Sequence, residues 1–318
     1  MRTKTTKNQT PDIQDDLIVG SSPEARRLRR AVKKLGKIDS NVLIVGETGT
    51  GKEFIARQIY NLSPRQNNAF VEINCAALGK TIDIKDLLGD ESDGSTGLLE
   101  KADKGILFLD NIGDMNSEYQ DEFLRLLRER KFKKIDGRDN VEIEMRIIST
   151  SDTDLNHDIE SGKFKKELYY LLNTLTLPIP PLRERKQDIP ELFSYFLKKY
   201  CEEERKEEPA VQSEIFESIL EYDWKGNVRE LENTVKNLLM MSPEGELSPE
   251  FLPFRIKKHP LDFLEPRNLK GVISEIEVYL IKKALKKYGG NQVKAAKLLG
   301  VPEATLRFKM KKYAIPKE

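Results

Sequence analysis

Cysteine, histidine and tryptophan are scarce in this chain: its 318 residues hold two, two and one. Cys75 and Cys201 are too few for a disulfide framework, and His157 and His259 stand alone, so neither a stapled secreted fold nor a zinc site is expected. Free thiols are the simpler reading. Long apolar runs are missing too, since nothing approaches the roughly 18 residues of a membrane span. The opening MRTKTTKNQTPDIQDD has no apolar core for a signal peptide, and residues 1–16 read as a disordered tail. The expectation is a reducing, cytoplasmic setting with no membrane partner.

An excess of one charge sign is also nearly absent overall, at +1, but the balance hides an asymmetry. From Ile281 to Glu318 there are eleven Lys or Arg against two Glu, an excess of nine, so the rest of the chain carries a net −8. A basic end of this kind suggests nucleic acid, with a solvated helix face as the plain alternative. Charged residues make up 34% and hydrophobic ones 38%, which describes a water-facing protein with a busy surface. The length allows two or three domains.

Between about Asp16 and Pro180, short apolar runs alternate with helical periodicity. Asn41–Val45, Ala69–Asn74, Ile106–Asp110 and Glu144–Thr150 read as strands, with KEFIARQIYNL and SEYQDEFLRLLRER as helices among them. That alternation predicts an α/β domain over 17–180 with a largely parallel sheet. Four prolines between Leu177 and Pro190 break the pattern. Helical stretches near Glu191–Cys201, Gln212–Tyr222 and Asn227–Met241 then predict a small all-helical lid over 181–242. Residues 243–268, rich in Pro, Ser and Glu, read as a linker, and 269–318 as a basic helical domain.

Gly46-Glu47-Thr48-Gly49-Thr50-Gly51-Lys52-Glu53 follows the first strand and opens a helix, the setting of a phosphate-binding loop. Its glycines let successive N–H groups turn inward as an anion nest, and the helix points its positive end at the same place. Lys52 would lie between the β- and γ-phosphates. Glu53 stands where Ser or Thr usually binds magnesium. Asp110, at the end of GILFLD, is the expected carboxylate for a magnesium–nucleotide. The next residue, Asn111, has no proton affinity with which to activate water.

These residues, together with LIVGSSPEARRLRR, ETGTGKEFIARQIYNLSPRQNNAFVEINCAAL, GILFLDNIGDM, IPPLRERKQDIP and DWKGNVRELEN, resemble the bacterial enhancer-binding proteins. Those are the sigma-54-dependent transcription activators with a central AAA+ ATPase. The resemblance implies ATP and Mg2+ as cofactors and places Arg229 as the lid arginine that reaches the nucleotide, beside a bland reading as a salt-bridge partner of Glu230 or Glu232. It also implies an N-terminal input domain, which the short stretch before Leu17 is expected to lack. Four departures are visible. Asn111 replaces the water-polarising glutamate. Lys165 and Leu171, in FKKELYYLLN, hold the positions of the two trans-acting arginines. The loop bearing Gly-Ala-Phe-Thr-Gly-Ala, which contacts sigma-54, is shortened to LLGDESDGSTGLLEKADKG. The sensor position after RIIST, usually Asn, is Asp152.

The end of the chain, GGNQVKAAKLLGVPEATLRFKMKKYAI, looks like the Fis-type helix-turn-helix. Gly289 and Gly290 stop one helix and Asn291 can cap the next. Ala295, Ala296 and Leu299 would pack inward against Leu306, Met310 and Tyr313. Thr305, Arg307, Phe308, Lys309, Lys311 and Lys312 are left for double-stranded DNA, with lysines on phosphates and Arg307 or Thr305 near bases. Glu303 at the front of that helix opposes phosphate. Val272, Ile273, Ile276, Leu280, Ile281 and Leu285 form a candidate dimer face.

The reading that follows is a DNA-binding regulator whose AAA+ module binds ATP with little or no hydrolysis and does not act through sigma-54. It would work as a homodimer or higher oligomer, with RNA polymerase or a regulatory protein as further partners. Two alternatives stand beside it. One is a working sigma-54 activator that uses Asp114 or Glu118 as base and Lys165 as finger. The other is a repressor or co-regulator with an inert pocket.

Overall fold

A computed structural model describes residues 18–242, 245–253, 255–256, 269–313 and 315. The expected tail and residues 257–268 of the expected linker lie outside the described residues. The chain divides after Ile256 into two compact units.

In the first unit, five strands form a parallel sheet: β1 (Val42–Val45), β2 (Phe70–Asn74), β3 (Ile106–Asp110), β4 (Arg146–Ser151) and β5 (Leu175–Pro178), in the order β2-β3-β4-β1-β5. Strand alternation divides the apolar residues between two cores. Val42, Ile44, Ile106, Phe108 and Ile148 face α1 (Pro23–Gly36) and α2 (Lys52–Asn61). Leu43, Leu107, Leu109 and Ile147 face the other way, onto α3 (Ser117–Glu129) and α4 (Lys166–Leu172). A sheet covered on both faces accounts for the unbroken apolar runs VLIV and ILFL. Four of the strands match the sequence-based expectation. The fifth, LTLP, was not anticipated: it is four residues long, carries a polar threonine and ends in proline, so it gives little periodic signal.

The lid packs α5 (Ile189–Glu204), α6 (Ser213–Glu221) and α7 (Asn227–Met241) around a fully buried Trp224, whose indole N–H donates to the Ile219 carbonyl at 2.7 Å. It is not purely helical, because Ala210–Val211 pair in parallel with Glu246–Leu247. Leu247, Leu252 and Ile256 are buried in the lid core, so the part of the expected linker up to Ile256 belongs to the lid. Gly20 ties the start of the described chain to the lid. Its φ is +131°, and a Cβ there would meet the Asp188 carboxylate, which accepts from the Ser22 backbone N–H at 2.8 Å and hydroxyl at 2.7 Å.

Where a long insertion would stand, the chain makes a tight hairpin, Gly89–Asp90 against Ser95–Thr96. Lys85 clips it shut with ion pairs of 2.8 Å to both Asp90 and Asp93.

The second unit is three helices: α8 (Leu269–Lys287), α9 (Gln292–Leu298) and α10 (Glu303–Lys312). Its core joins Ile281, Ala284 and Leu285 to Ala295, Ala296, Leu306, Met310 and Ile315, with Leu299 and Tyr313 packed at its edge. Gly289 and Gly290 take positive φ, and the Asn291 side chain caps α9 by accepting from the Lys294 N–H at 3.1 Å.

Candidate nucleotide site and nucleic-acid interface

A cleft of about 630 Å³ opens between the C-terminal ends of the strands and the lid. That is the size and position in which open α/β sheets hold small ligands. The phosphate loop forms its floor, and Thr48 to Glu53 all line it. Gly49 has φ +80°, and a Cβ there would run into the Gly226 carbonyl, so the loop and the N-terminus of α7 touch only because this residue is glycine. The lid helix is fastened at this point. The Arg229 N–H donates to Gly49 at 3.1 Å, and the Asn227 amide donates to the Thr48 carbonyl at 3.0 Å. Ile18, Val19, Leu192, Tyr195, Phe196 and Val228 also line the cleft and give it an apolar slot, of the kind a flat ring would fill.

Polar groups converge on the loop. The Lys52 ammonium donates to the Gly46 carbonyl (2.8 Å), the Glu47 carbonyl (3.2 Å) and the Asp152 carboxylate (2.5 Å), and Lys52 is only 7% exposed. The other Asp152 oxygen accepts from the Thr48 hydroxyl at 2.6 Å. Burial works to raise the Asp152 pKa, but the hydrogen bonds from Lys52 and Thr48, together with the positive charges of Lys52 and Arg229, outweigh it and hold the carboxyl below the usual aspartate range. Asp110 lines the cleft and accepts from the Thr150 hydroxyl at 2.7 Å. Asn111 adopts a left-handed backbone, φ +55°, which asparagine tolerates better than most residues. Its amide donates to Asp114 at 2.6 Å. Glu53 is exposed where it lines the cleft and pairs with Arg57, another lining residue, at 3.2 Å.

Arg229 lines the cleft, where its charge acts on Asp152, and no side-chain hydrogen bond or ion pair is seen for it among the described residues; the pairing with Glu230 or Glu232 does not form. Sequence reasoning missed Arg185. It lines the cleft at 5% exposure, reaches the Thr50 carbonyl weakly at 3.4 Å, and leaves its Nε buried without a partner. A buried, underused guanidinium beside an anion nest suits a phosphate-bearing ligand, and the arginine pair in LRER was the available signal. Lys165 and Leu171 do not line the cleft. Lys165 pairs with Asp121 at 2.8 Å on the rim of the first unit.

In the second unit, Arg307, Phe308, Lys311 and Lys312 are exposed along α10, with Thr305 half-buried. Three of the expected DNA-facing cations are engaged within the unit, Lys312 through the Tyr313 hydroxyl at 3.2 Å. Arg307 pairs with Glu303 at 2.5 Å and donates to Gln292 at 3.1 Å. Lys309 is folded back onto Glu277 at 2.5 Å, and the Tyr313 hydroxyl donates to the same carboxylate at 2.7 Å. The expected dimer face is divided. Ile281 and Leu285 are spent on the core, Ile276 is half-buried, and Ile273 and Leu280 are exposed, while the side chain of Val272 lies outside the described residues.

Residues 18–178 match the sigma-54 interaction domain, residues 183–264 the AAA+ ATPase lid domain, and residues 272–313 the bacterial regulatory proteins of the Fis family. The chain belongs to the bacterial enhancer-binding proteins. Regulatory proteins of several bacteria match along nearly all of it. It is 38% identical to the signal-transduction and transcriptional-control protein of Clostridium beijerinckii, across 97% of this chain and 50% of that protein. It is 34% identical to the transcriptional regulatory protein ZraR of Escherichia coli, across 92% and 68%, and 36% identical to the Nif-specific regulatory protein of Azotobacter vinelandii, across 93% and 58%. The chain thus spans about half to two thirds of the length of these relatives. Crystal structures of NtrX from Brucella abortus in complex with ATP and with ADP superpose with a TM-score of 0.71 at 28% identity, covering 93% of this chain and 69% of NtrX. Among the described residues no helix is long and apolar enough to cross a membrane.

Proposed function

We propose that this enhancer-binding chain is a cytoplasmic DNA-binding transcription regulator whose cleft holds ATP with Mg2+ and turns it over very slowly. The observation that carries the reading is the pair Asp110–Asn111. The carboxylate suited to magnesium is kept, while the group beside it is an amide already bonded to Asp114 at 2.6 Å. An amide orients water but accepts no proton, and general-base help is worth roughly 10²–10⁴ in rate.

The residues present fit the nucleotide. The loop N–H groups, Lys52, Arg185 and Arg229 answer the phosphates, and the apolar slot answers the base. Mg2+ needs only one or two carboxylates beside phosphates and water. Asp110 would hold it, and bound there it would neutralise phosphate charge. An arginine supplied from a neighbouring copy adds roughly 10³–10⁵ in such sites. Lys165 lacks the planar fork, and Leu171 has no charge. The clipped hairpin Gly89–Thr96 offers no long loop to reach sigma-54. DNA would be read by α10, with the protein working as a dimer or larger oligomer.

Phosphate release from ATP–Mg2+ by pure protein tests this reading; robust turnover would overturn it. A second reading, a working sigma-54 activator, draws on Asp114, a cleft carboxylate in contact with Asn111. Promoter melting with sigma-54 polymerase separates the two, because only the second requires it.

A further inference from the structure

Asp152 is joined to the phosphate loop by both of its oxygens, one on Lys52 and one on Thr48. An ammonium has three N–H donors, and the three on Lys52 have acceptors in Gly46, Glu47 and Asp152. The lysine that a terminal phosphate would need is therefore saturated, and one of its partners is itself an anion. Asp152 also lines the cleft, so a phosphate reaching past the loop meets its carboxylate directly. An amide at this position could donate to that phosphate. A carboxylate only accepts and repels. Phosphates cradled by the backbone N–H groups of Gly49 to Lys52 are not opposed in the same way, because those donors do not depend on Asp152.

We propose that Asp152 is the nucleotide-selecting residue of this cleft: it latches Lys52 when no ligand is bound and makes the site favour a nucleoside diphosphate over the triphosphate. The inference rests on the proposed nucleotide binding and deepens it by naming the phosphate state that the site prefers. The protein would then read the ratio of the two nucleotides instead of answering to the triphosphate alone.

The test uses the full chain and its D152N and D152S variants, with displacement of a fluorescent ADP analogue by unlabelled ADP and ATP in the presence of magnesium. D152N supplies an amide donor, whereas D152S only removes the charge. Wild type should bind ADP about tenfold or more tighter than ATP, a gap well within what one close charge can produce. Both variants should close most of that gap by gaining ATP affinity, with ADP affinity changed less than about threefold. A wild type that binds neither nucleotide while both variants bind would overturn the diphosphate preference, because the backbone donors that hold ADP do not depend on Asp152. Variants that keep the wild-type ratio, with melting temperatures close to wild type, overturn the latch. Failure of all three proteins to bind either nucleotide overturns the nucleotide reading itself, and is thereby distinguished from failure of the latch.

Discussion

Glu47 in the phosphate loop and Arg183 at the entrance to the lid form a two-pronged ion pair, with the guanidinium donating to both carboxylate oxygens at 2.7 and 2.5 Å. Asn227, at the first turn of α7, donates to the same carboxylate at 3.2 Å. One side chain of the loop thus holds the lid at two places.

This pairing predicts a pH dependence. The Arg183 hydrogen bond, then that from Asn227, pull the Glu47 pKa from 4.5 down to about 2. A carboxylate depressed on folding stabilises the protein above its unfolded pKa, and that contribution is lost as pH falls through the folded one. The Glu47 contribution should therefore be complete above about pH 4.5 and fade toward pH 2. The pair is partly exposed, so the effect should be at most about 1 kcal/mol. Melting temperature followed from pH 7 to pH 3 should fall less steeply in R183A than in wild type; identical slopes would remove the coupling.

Restoring the carboxylate at position 111 should do little alone. N111E places a base beside Asp110 but leaves Lys165 and Leu171 in place, and catalytic groups that act together are not additive. Phosphate release is expected to rise less than about tenfold in N111E and by orders of magnitude only in N111E/K165R/L171R, within the roughly 10³–10⁵ that an arginine finger brings. The left-handed backbone at this position adds a second signature, since glutamate there should cost roughly 1–2 kcal/mol of stability. A large gain from N111E alone would show that the neighbouring subunit's cation is dispensable.

Arg229→Ala should leave the fold intact, because no side-chain hydrogen bond or ion pair is seen for this residue among the described residues. Nucleotide affinity should drop roughly tenfold to a hundredfold, the range for a lost charged hydrogen bond. Calorimetric titration with ADP and with ATP measures it, and an unchanged affinity would remove Arg229 from the ligand shell.

On the DNA-reading side, Lys311 and Lys309 should separate. Lys311 is exposed, so K311A should lower the salt slope of DNA binding by roughly 0.9, one phosphate contact, with little effect on melting. Lys309 is held by Glu277, so K309A should lower the melting temperature of the second unit more than K311A does. Equal melting curves and equal slopes for the two variants would contradict the assignment.

Much of this was legible in the sequence for identifiable reasons. The short unbroken apolar runs VLIV and ILFL mark strands buried on both faces, and glycine spacing before Lys52 marks the loop. The apolar spacing of Leu306, Met310 and Tyr313 likewise anticipated the inner face of α10. What escaped depends on contacts distant in sequence. Asp152 was visible as a departure, yet its bond to Lys52 joins residues 100 positions apart. The apolar slot is assembled from Ile18, Leu192 and Val228, three separate segments. Leu247, Leu252 and Ile256 sit amid prolines and glutamates without helical or strand spacing, so their burial in the lid left no periodic trace.

Trp224 is the single tryptophan of the chain, and it is sealed within the lid with its indole N–H on the Ile219 carbonyl. Intrinsic tryptophan emission from this protein is therefore a local optical probe. Opening of that one helical cluster would shift it toward the red, whereas melting of the second unit alone would leave it untouched.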